Sequence, residues 1–349
     1  MADVRNLIKD AESLNASELK LVADKIMKLL HSSECEPSCV SNNTSKCRNC
    51  GTEGSVIKFG KDKNGKQRYK CKCCDATFTD TSYSVVSHSH CSTDTWMKYI
   101  QLLIMGASLA KSAEICGISI QTAFIWRHKI LSVLQKDQDN RVMNGIVEAD
   151  DMFISVSYKG NHKKSKNFTM PRAPYKRGSD NRGCLAEKAC VMCAVERKGN
   201  TYGEVLGTGA ASETMLDHAF KNRILDDTIV VTDKAHSLKR YFNNRPIEHI
   251  QVSSHVNPRL HYTPPEINGV YHIQNINNLH HRFRRFLHDY NGVATKYLNN
   301  YLSLYIWIEN HKNINNINLD DALFNYTICQ NTYIPTRRLF DLPPVPSVA

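Results

Sequence analysis

Two Cys-x-x-Cys pairs, Cys47 with Cys50 and Cys71 with Cys74, stand twenty residues apart in "CRNCGTEGSVIKFGKDKNGKQRYKCKCCDATF". No other local feature constrains the fold as tightly. Each pair forms a tight knuckle that aims two thiolates at one point, and two knuckles complete the tetrahedral shell that structural zinc takes. The interval between them has room for a hairpin turned at the Asn-Gly of "KDKNGKQ". A module this short has too little core to fold unaided, so bound Zn²⁺ supplies much of its stability. The alternative is four unligated buried thiols. Cys73 reads as a bystander, and Cys35 and Cys39 lack partners for a second ion.

Thirteen cysteines are an odd number in a chain whose N-terminal "MADVRNLIKDAESL" has no export-signal pattern, so metal ligation and buried thiols fit better than a disulfide framework. No apolar run approaches the roughly 20 residues of a membrane span. A cytoplasmic protein without a membrane partner is expected. The formal charge of +11 and a pI near 9.0 favour a polyanionic partner, nucleic acid before a membrane surface.

Residues 1–34 read as a helical region, with Asn15 and Glu18 spaced as a capping box ahead of Leu19, Val22, Ala23 and Ile26. A Ser-, Asn- and Pro-rich linker leads into the ribbon, so the ribbon region is taken as 35–92. From 93 to 140 the periodicity predicts three helices, "TWMKYIQLLIMG", "SLAKSAEICG" and "ISIQTAFIWRHKILSVL". Ala113 and Gly117 have the spacing of a helix-turn-helix, and Ser119 is a natural N-cap for the third helix. In that reading Gln121, Thr122, Arg127 and His128 face outward toward DNA, while Ile120, Phe124, Ile130 and Leu131 build the core. A plain three-helix bundle is the alternative, and the adjoining ribbon and basic balance favour DNA.

After Asn140 the pattern changes to strands. "GIVEADDMFI" has the β-branched, aromatic and apolar residues of a packed strand but carries Glu148, Asp150 and Asp151. Alternation puts Glu148 and Asp150 on one face and Asp151 on the other, and does not choose between the first two. "EKACVMCAVERKGN" and "TYGEVLGTG" fit a hairpin turned at Lys198, Gly199 and Asn200. Cys190 and Cys193 sit on opposite faces of the first of these strands, which suits core packing and not a shared ion. In "DDTIVVTDKAHS" a buried strand ends at Asp233, whose simplest reading alone is an N-cap. In "HIQNINNLHHRFRRFLHDY" an apolar helical stripe is bordered by Asn277, His281 and Arg284 at i, i+4 and i+7. Between the first two strands lies a basic stretch with Lys159, Lys163, Lys164, Lys166, Arg172, Lys176 and Arg177, interleaved with Phe168 and Tyr175. Such a loop can track a phosphate backbone.

Taken in order, the ribbon, the helix-turn-helix, "VEADDMF", "SYKGNHKKSK", "VVTDKAHS", "HIQNINNLHHRFRRF" and "NGVATKYLNNYL" resemble the zinc-ribbon branch of DDE insertion-sequence transposases, those with an ISXO2-like transposase domain. The resemblance runs from about Cys47 to Trp307. It implies an α/β fold, an RNase H-like catalytic domain at 141–310 with a mixed sheet flanked by helices, followed by a tail at 311–349. It also implies cleavage and joining of double-stranded DNA at element ends, with Mg²⁺ or Mn²⁺, by a dimer or larger assembly associated with the nucleoid. By position, the family's first aspartate falls on Asp150, the second on Asp233 and the third metal-binding position on Asn277. Seven residues later, where this branch carries lysine, stands Arg284, which keeps the charge with a different geometry. Asparagine at the third position also leaves open an inactive, DNA-binding descendant of such an enzyme.

Overall fold

The computed structural model describes residues 46–63, 65–139, 141–160, 188–197, 199–252, 271–314, 318–330, 335–340 and 342–348. The helical reading of 1–34 and most of the basic stretch, Lys163 to Arg177, lie outside the described residues. The chain divides into two compact units, Met1–Ser82 and Tyr83–Ala349.

In the first unit, β1 (Val56–Lys61), β2 (Gln67–Cys71) and β3 (Thr77–Thr79) form an antiparallel sheet. The β1–β2 hairpin turns where the Asn-Gly signal falls. Asp62 holds the turn, accepting at its carbonyl from Gly65 N–H and at its side chain from Lys66 N–H, and Gly65 adopts the positive φ of +80° that this turn needs. Tyr69 and Phe78 pair across β2 and β3 with ring centroids 6.1 Å apart.

The second unit is built on a five-stranded sheet of β4 (Ile146–Ser155), β5 (Lys188–Glu196), β6 (Thr201–Thr208), β7 (Ile229–Thr232) and β8 (Glu248–Gln251). The order is β6-β5-β4-β7-β8, antiparallel across β6, β5 and β4 and parallel across β4, β7 and β8. The helices are α1 (Thr93–Ile104), α2 (Leu109–Cys116), α3 (Ile120–Asp139), α4 (Glu213–Phe220), α5 (His236–Asn243), α6 (Gln274–Asp289), α7 (Leu298–His311), α8 (Leu319–Cys329) and α9 (Thr336–Phe340). One face of the sheet, with Val147, Ala149, Cys190 and Met192, packs on Leu216 and Phe220 of α4 and Leu238 and Phe242 of α5. The other, with Met152, Val191, Cys193 and Val205, packs on Ile276, Leu279 and Phe283 of α6 and Leu302 and Ile306 of α7. Cys190 and Cys193 therefore do face opposite sides, each in a core. Gly203 of β6 lets α7 come close, because a Cβ there would lie 3.2 Å from Leu302 and Ile306.

The helices at 93–139 belong to this same unit. The long helix α3 is joined to α7 and β6 by polar contacts. Gln135 Nε2 donates to Asn300 Oδ1 at 2.6 Å, Gln138 Nε2 donates to Ser303 Oγ at 3.0 Å, and Gln138 Oε1 accepts from Gly203 N–H at 3.1 Å. The α2–α3 turn follows the sequence signals. Gly117 caps α2 in the left-handed region with φ +65°, and Ser119 Oγ accepts from Thr122 N–H at 3.0 Å.

The outward face predicted for α3 needs correction. Arg127 is 2% exposed, donates to the Ala107 carbonyl at 2.7 Å, and stacks 5.2 Å from the Tyr290 ring. His128 is equally buried, 4.0 Å from the ring of Tyr297, and burial pushes its imidazole down to about 3. Conversely, Ile120, expected in the core, is 58% exposed. The physical reason is that α3 is covered by α2 on one side and by α7 on the other, so polar residues at its core-facing positions are satisfied inside the protein. Of the residues expected to read DNA here, Gln121 is exposed and Thr122 half-buried.

Candidate metal centre and carboxylate site

The four cysteines of the first unit come together as their spacing requires. The Sγ atoms of Cys47, Cys50, Cys71 and Cys74 all lie within 4.8 Å of one another, and among the described residues they are the only His, Cys, Asp or Glu group of three or more that does. Backbone N–H groups of Asn49 and Cys50 point at Cys47 Sγ, and that of Cys73 at Cys71 Sγ, at 3.3 to 3.5 Å. This knuckle geometry places positive dipoles around sulfur and suits thiolates. Burial pushes the Cys47 thiol up to about 11, while the Thr52 hydroxyl and backbone bring Cys50 down to about 6. Cys73 is exposed and stays outside the group. The cluster can hold a metal ion.

The second site begins with register. In the parallel pairing of β4 and β7, Glu148 stands opposite Val231. Two residues further along, Asp150 is near enough to Asp233, just past the end of β7, for the two charges to interact. Asp150 shares the face of Met152, toward α6, and His280 Nδ1 of that helix lies 3.7 Å from Asp150 Oδ2. Burial raises the Asp150 carboxyl to about 7, reinforced by the like charges of Asp233 and Asp151 and opposed by Arg284. Asp151 points to the other face, and burial with Asp233 lifts it to about 6. Asp233 Oδ1 accepts from Ala235 N–H at 2.8 Å, a short turn that leads into α5. That helix has no side-chain cap, so the simple N-cap reading of Asp233 does not hold.

His280 was not legible as a member of this site. It is 5% exposed and electrically neutral in character, since burial and then Arg284 push it down to about 4. The neighbouring His281, which pattern alone favoured, is exposed, as are Asn277 and Arg284. Asn277, His280, His281 and Arg284 follow one another at helical spacing, so the side of α6 that meets Asp150 through His280 is the side on which Asn277 and Arg284 lie. Glu148, by contrast, turns out to be committed elsewhere. Its carboxylate is wholly buried and bonded to the first turn of α6. Of the basic stretch, Lys159 is described: it is exposed and donates to the carbonyls of Asn291 and Gly292 at 2.9 and 3.2 Å.

A family model for the ISXO2-like transposase domain matches residues 142–310, the span that holds the sheet, Asp150, Asp233 and α6. Residues 142–310 form a domain of the ISXO2-like transposase family. A similar curated protein is an uncharacterized protein in transposable element ISH50 of Halobacterium salinarum, 24% identical over 257 residues, covering 73% of this chain and 82% of that protein. A chain from the crystal structure of a pre-cleavage Mos1 transpososome is 12% identical and covers 67% of this chain and 78% of its own, with a TM-score of 0.19, too low to inform the fold. The mixed sheet of this transposase-family domain, flanked by helices on both faces, is consistent with an RNase H-like domain. Among the described residues no helix is long and apolar enough to cross a membrane.

Proposed function

We propose that this chain is a metal-dependent transposase that binds the ends of an insertion sequence and cleaves and joins DNA strands there. The observation that carries this reading is the closeness of Asp150, in the middle of β4, to Asp233, just past the end of the neighbouring β7, on the side of the sheet where α6 presents Asn277 and Arg284. Hard oxygen donors of this kind suit Mg²⁺ or Mn²⁺, which take one or two protein carboxylates and complete their shell with water and substrate. The four clustered thiols suit Zn²⁺.

When bound, the divalent ions would supply charge neutralisation at the attacking and leaving oxygens of the scissile phosphodiester. The protein's own contribution is placement. Asp150 is fixed by the β4 ladder and Asp233 by its turn into α5, so neither carboxylate depends on a flexible loop for its position. Their mutual repulsion and burial disfavour two bare charges at neutral pH, a cost that a bound cation reverses. Asn277 offers a neutral carbonyl oxygen, which makes the site less negative than one with three carboxylates. Arg284 is placed to meet a phosphate. The exposed first turn of α3, with Gln121 and Thr122, and the basic stretch from Lys159 to Arg177 are the proposed DNA contacts. Two ends must be brought together, so a dimer or larger assembly on DNA, in the cytoplasm at the nucleoid, follows from the same reading.

Asn277 in the third position also supports a second reading, a catalytically inactive DNA-binding descendant. One experiment separates the two. The parent, Asp150→Ala and Asp233→Ala are incubated with DNA carrying the element's flanking repeats, with and without Mg²⁺. Strand cleavage and joining by the parent alone, with end binding retained by all three, is the expected result. A parent that binds ends but never cuts in Mg²⁺ or Mn²⁺ establishes the second reading, and equal cutting by the variants rejects the site.

A further inference from the structure

Glu148 lies two residues before Asp150 on β4 and is 0% exposed. Its Oε2 accepts the backbone N–H groups of Asn275 at 2.9 Å and Ile276 at 3.1 Å. Its Oε1 accepts the Asn275 side-chain amide at 2.7 Å and Arg197 Nε at 3.3 Å, and His272 Nδ1 lies 3.3 Å from the same oxygen. These contacts use both oxygens, so Glu148 is not free to serve as a metal ligand.

The helix on the other side of these bonds has one local acceptor, His272 Nδ1, which takes the Gln274 N–H at 3.3 Å. Ile273 occupies the N-cap position of α6 with no side-chain hydrogen bond, and the first turn carries no acidic residue. The N–H groups of a first helical turn need acceptors, and the positive end of the helix dipole favours an anion. Here the acceptor arrives from a strand 127 residues earlier in sequence. The residue immediately after the capped pair is Asn277.

We propose that Glu148 is a positioning residue: by capping α6 from the strand that carries Asp150, it fixes the separation between Asp150 and Asn277 and thereby the grip on the divalent ion. This rests on the metal-site reading given above. One carboxylate on β4 faces the ion, and the other, on the same face, holds the element that brings the opposing ligand. Arg197 Nε, 3.3 Å from Oε1, gives the buried carboxylate of Glu148 a cationic partner.

The test uses the full-length protein and Mn²⁺ binding followed by electron paramagnetic resonance, alongside circular dichroism and DNA-end binding. Glu148→Gln keeps the size of the side chain but turns an amide donor toward N–H donors. It is expected to remain folded and to bind ends like the parent, with Mn²⁺ affinity weakened by about 10- to 100-fold. Asn275→Ala, which removes a single side-chain bond, should weaken Mn²⁺ in the same direction by less. In an Asn277→Ala background, Glu148→Gln should change Mn²⁺ affinity by less than about twofold, because its effect passes through Asn277. Multiplying effects in that double variant would overturn the proposal. So would parental Mn²⁺ affinity in Glu148→Gln, or in folded Asn275→Ala should Glu148→Gln fail to fold. Asp150→Ala tells the two failures apart. If it loses Mn²⁺ while Glu148→Gln and Asn275→Ala keep it, the positioning role alone falls. If Asp150→Ala also keeps it, the metal-site reading falls and this role with it.

Discussion

Among its described residues the first unit buries few apolar side chains, Tyr69 and Phe78 beside Cys47 and Cys71, whereas the second buries residues of both sheet faces against separate sets of helices. Both units gather groups that repel one another when charged. In the first, the gathered thiolates stand where a core would be, so ligand and fold are one thing. In the second, the carboxylates sit in the middle of β4 and just past the end of β7, strands that are already held by packing on two faces. Metal is therefore expected to be structural in one unit and an addition to a finished fold in the other.

The largest expected effect breaks the first unit alone. Removing metal with a chelator, or Cys71→Ser, should cost on the order of 10 kcal/mol of metal-coupled folding free energy and abolish the dispersed NMR signals of Tyr69 and Phe78. The signals of the five-stranded sheet should persist. Retained dispersion in the ribbon after chelation would remove the contrast between the units.

Next in size is a packing change in the second unit. Arg127→Met strips a buried guanidinium from the Ala107 carbonyl and the Tyr290 ring and should lower stability by about 3 kcal/mol, read by urea denaturation. A surface DNA contact would leave stability unchanged and alter affinity instead.

The third concerns charge. The carboxyl of Asp150 is raised to about 7 and that of Asp151 to about 6, from ordinary values near 3.8. Between those limits the folded protein binds more protons than the unfolded chain, so metal-free stability should fall as pH rises from about 4 to 7. Asp150→Asn should flatten that slope and stabilise the metal-free protein at pH 8 by ~2 kcal/mol, and Mg²⁺ should recover stability in the parent only. Differential scanning calorimetry across this pH range measures both. A parent more stable at pH 8 than at pH 5 without metal would contradict the buried repulsion.

The smallest is at the surface. Gln121→Ala should leave the melting temperature alone and weaken binding to the correct DNA ends by about 1 kcal/mol, with little change on unrelated DNA. Equal loss on both would assign Gln121 to the backbone instead of the bases.

What could be read in advance followed the range of the interaction. The ribbon was legible because its knuckles are local, as were its turn at Asp62 to Lys66, the Ser119 cap and the β5–β6 hairpin. Asp150 and Asp233 came from resemblance, and only the β4–β7 register sets them side by side. Glu148 was ambiguous because alternation gives it the same face as Asp150, and its partners on α6 are more than a hundred residues away. Arg127 and His128 misled because polar residues on a helix normally mark its wet side. Here a backbone carbonyl and aromatic rings receive them in the interior.

The stitching of α3 to Asn300, Ser303 and Gly203 bears on how cutting could be measured out along DNA. A helix tied at its far end to the sheet cannot swing on a tether, so whatever its exposed first turn grasps travels with Asp150 as one body. On the proposed reading the protein is its own ruler: the offset between recognised bases and the broken bond is written into a helix–helix seam, and retuning it would mean rebuilding that seam, not lengthening a linker.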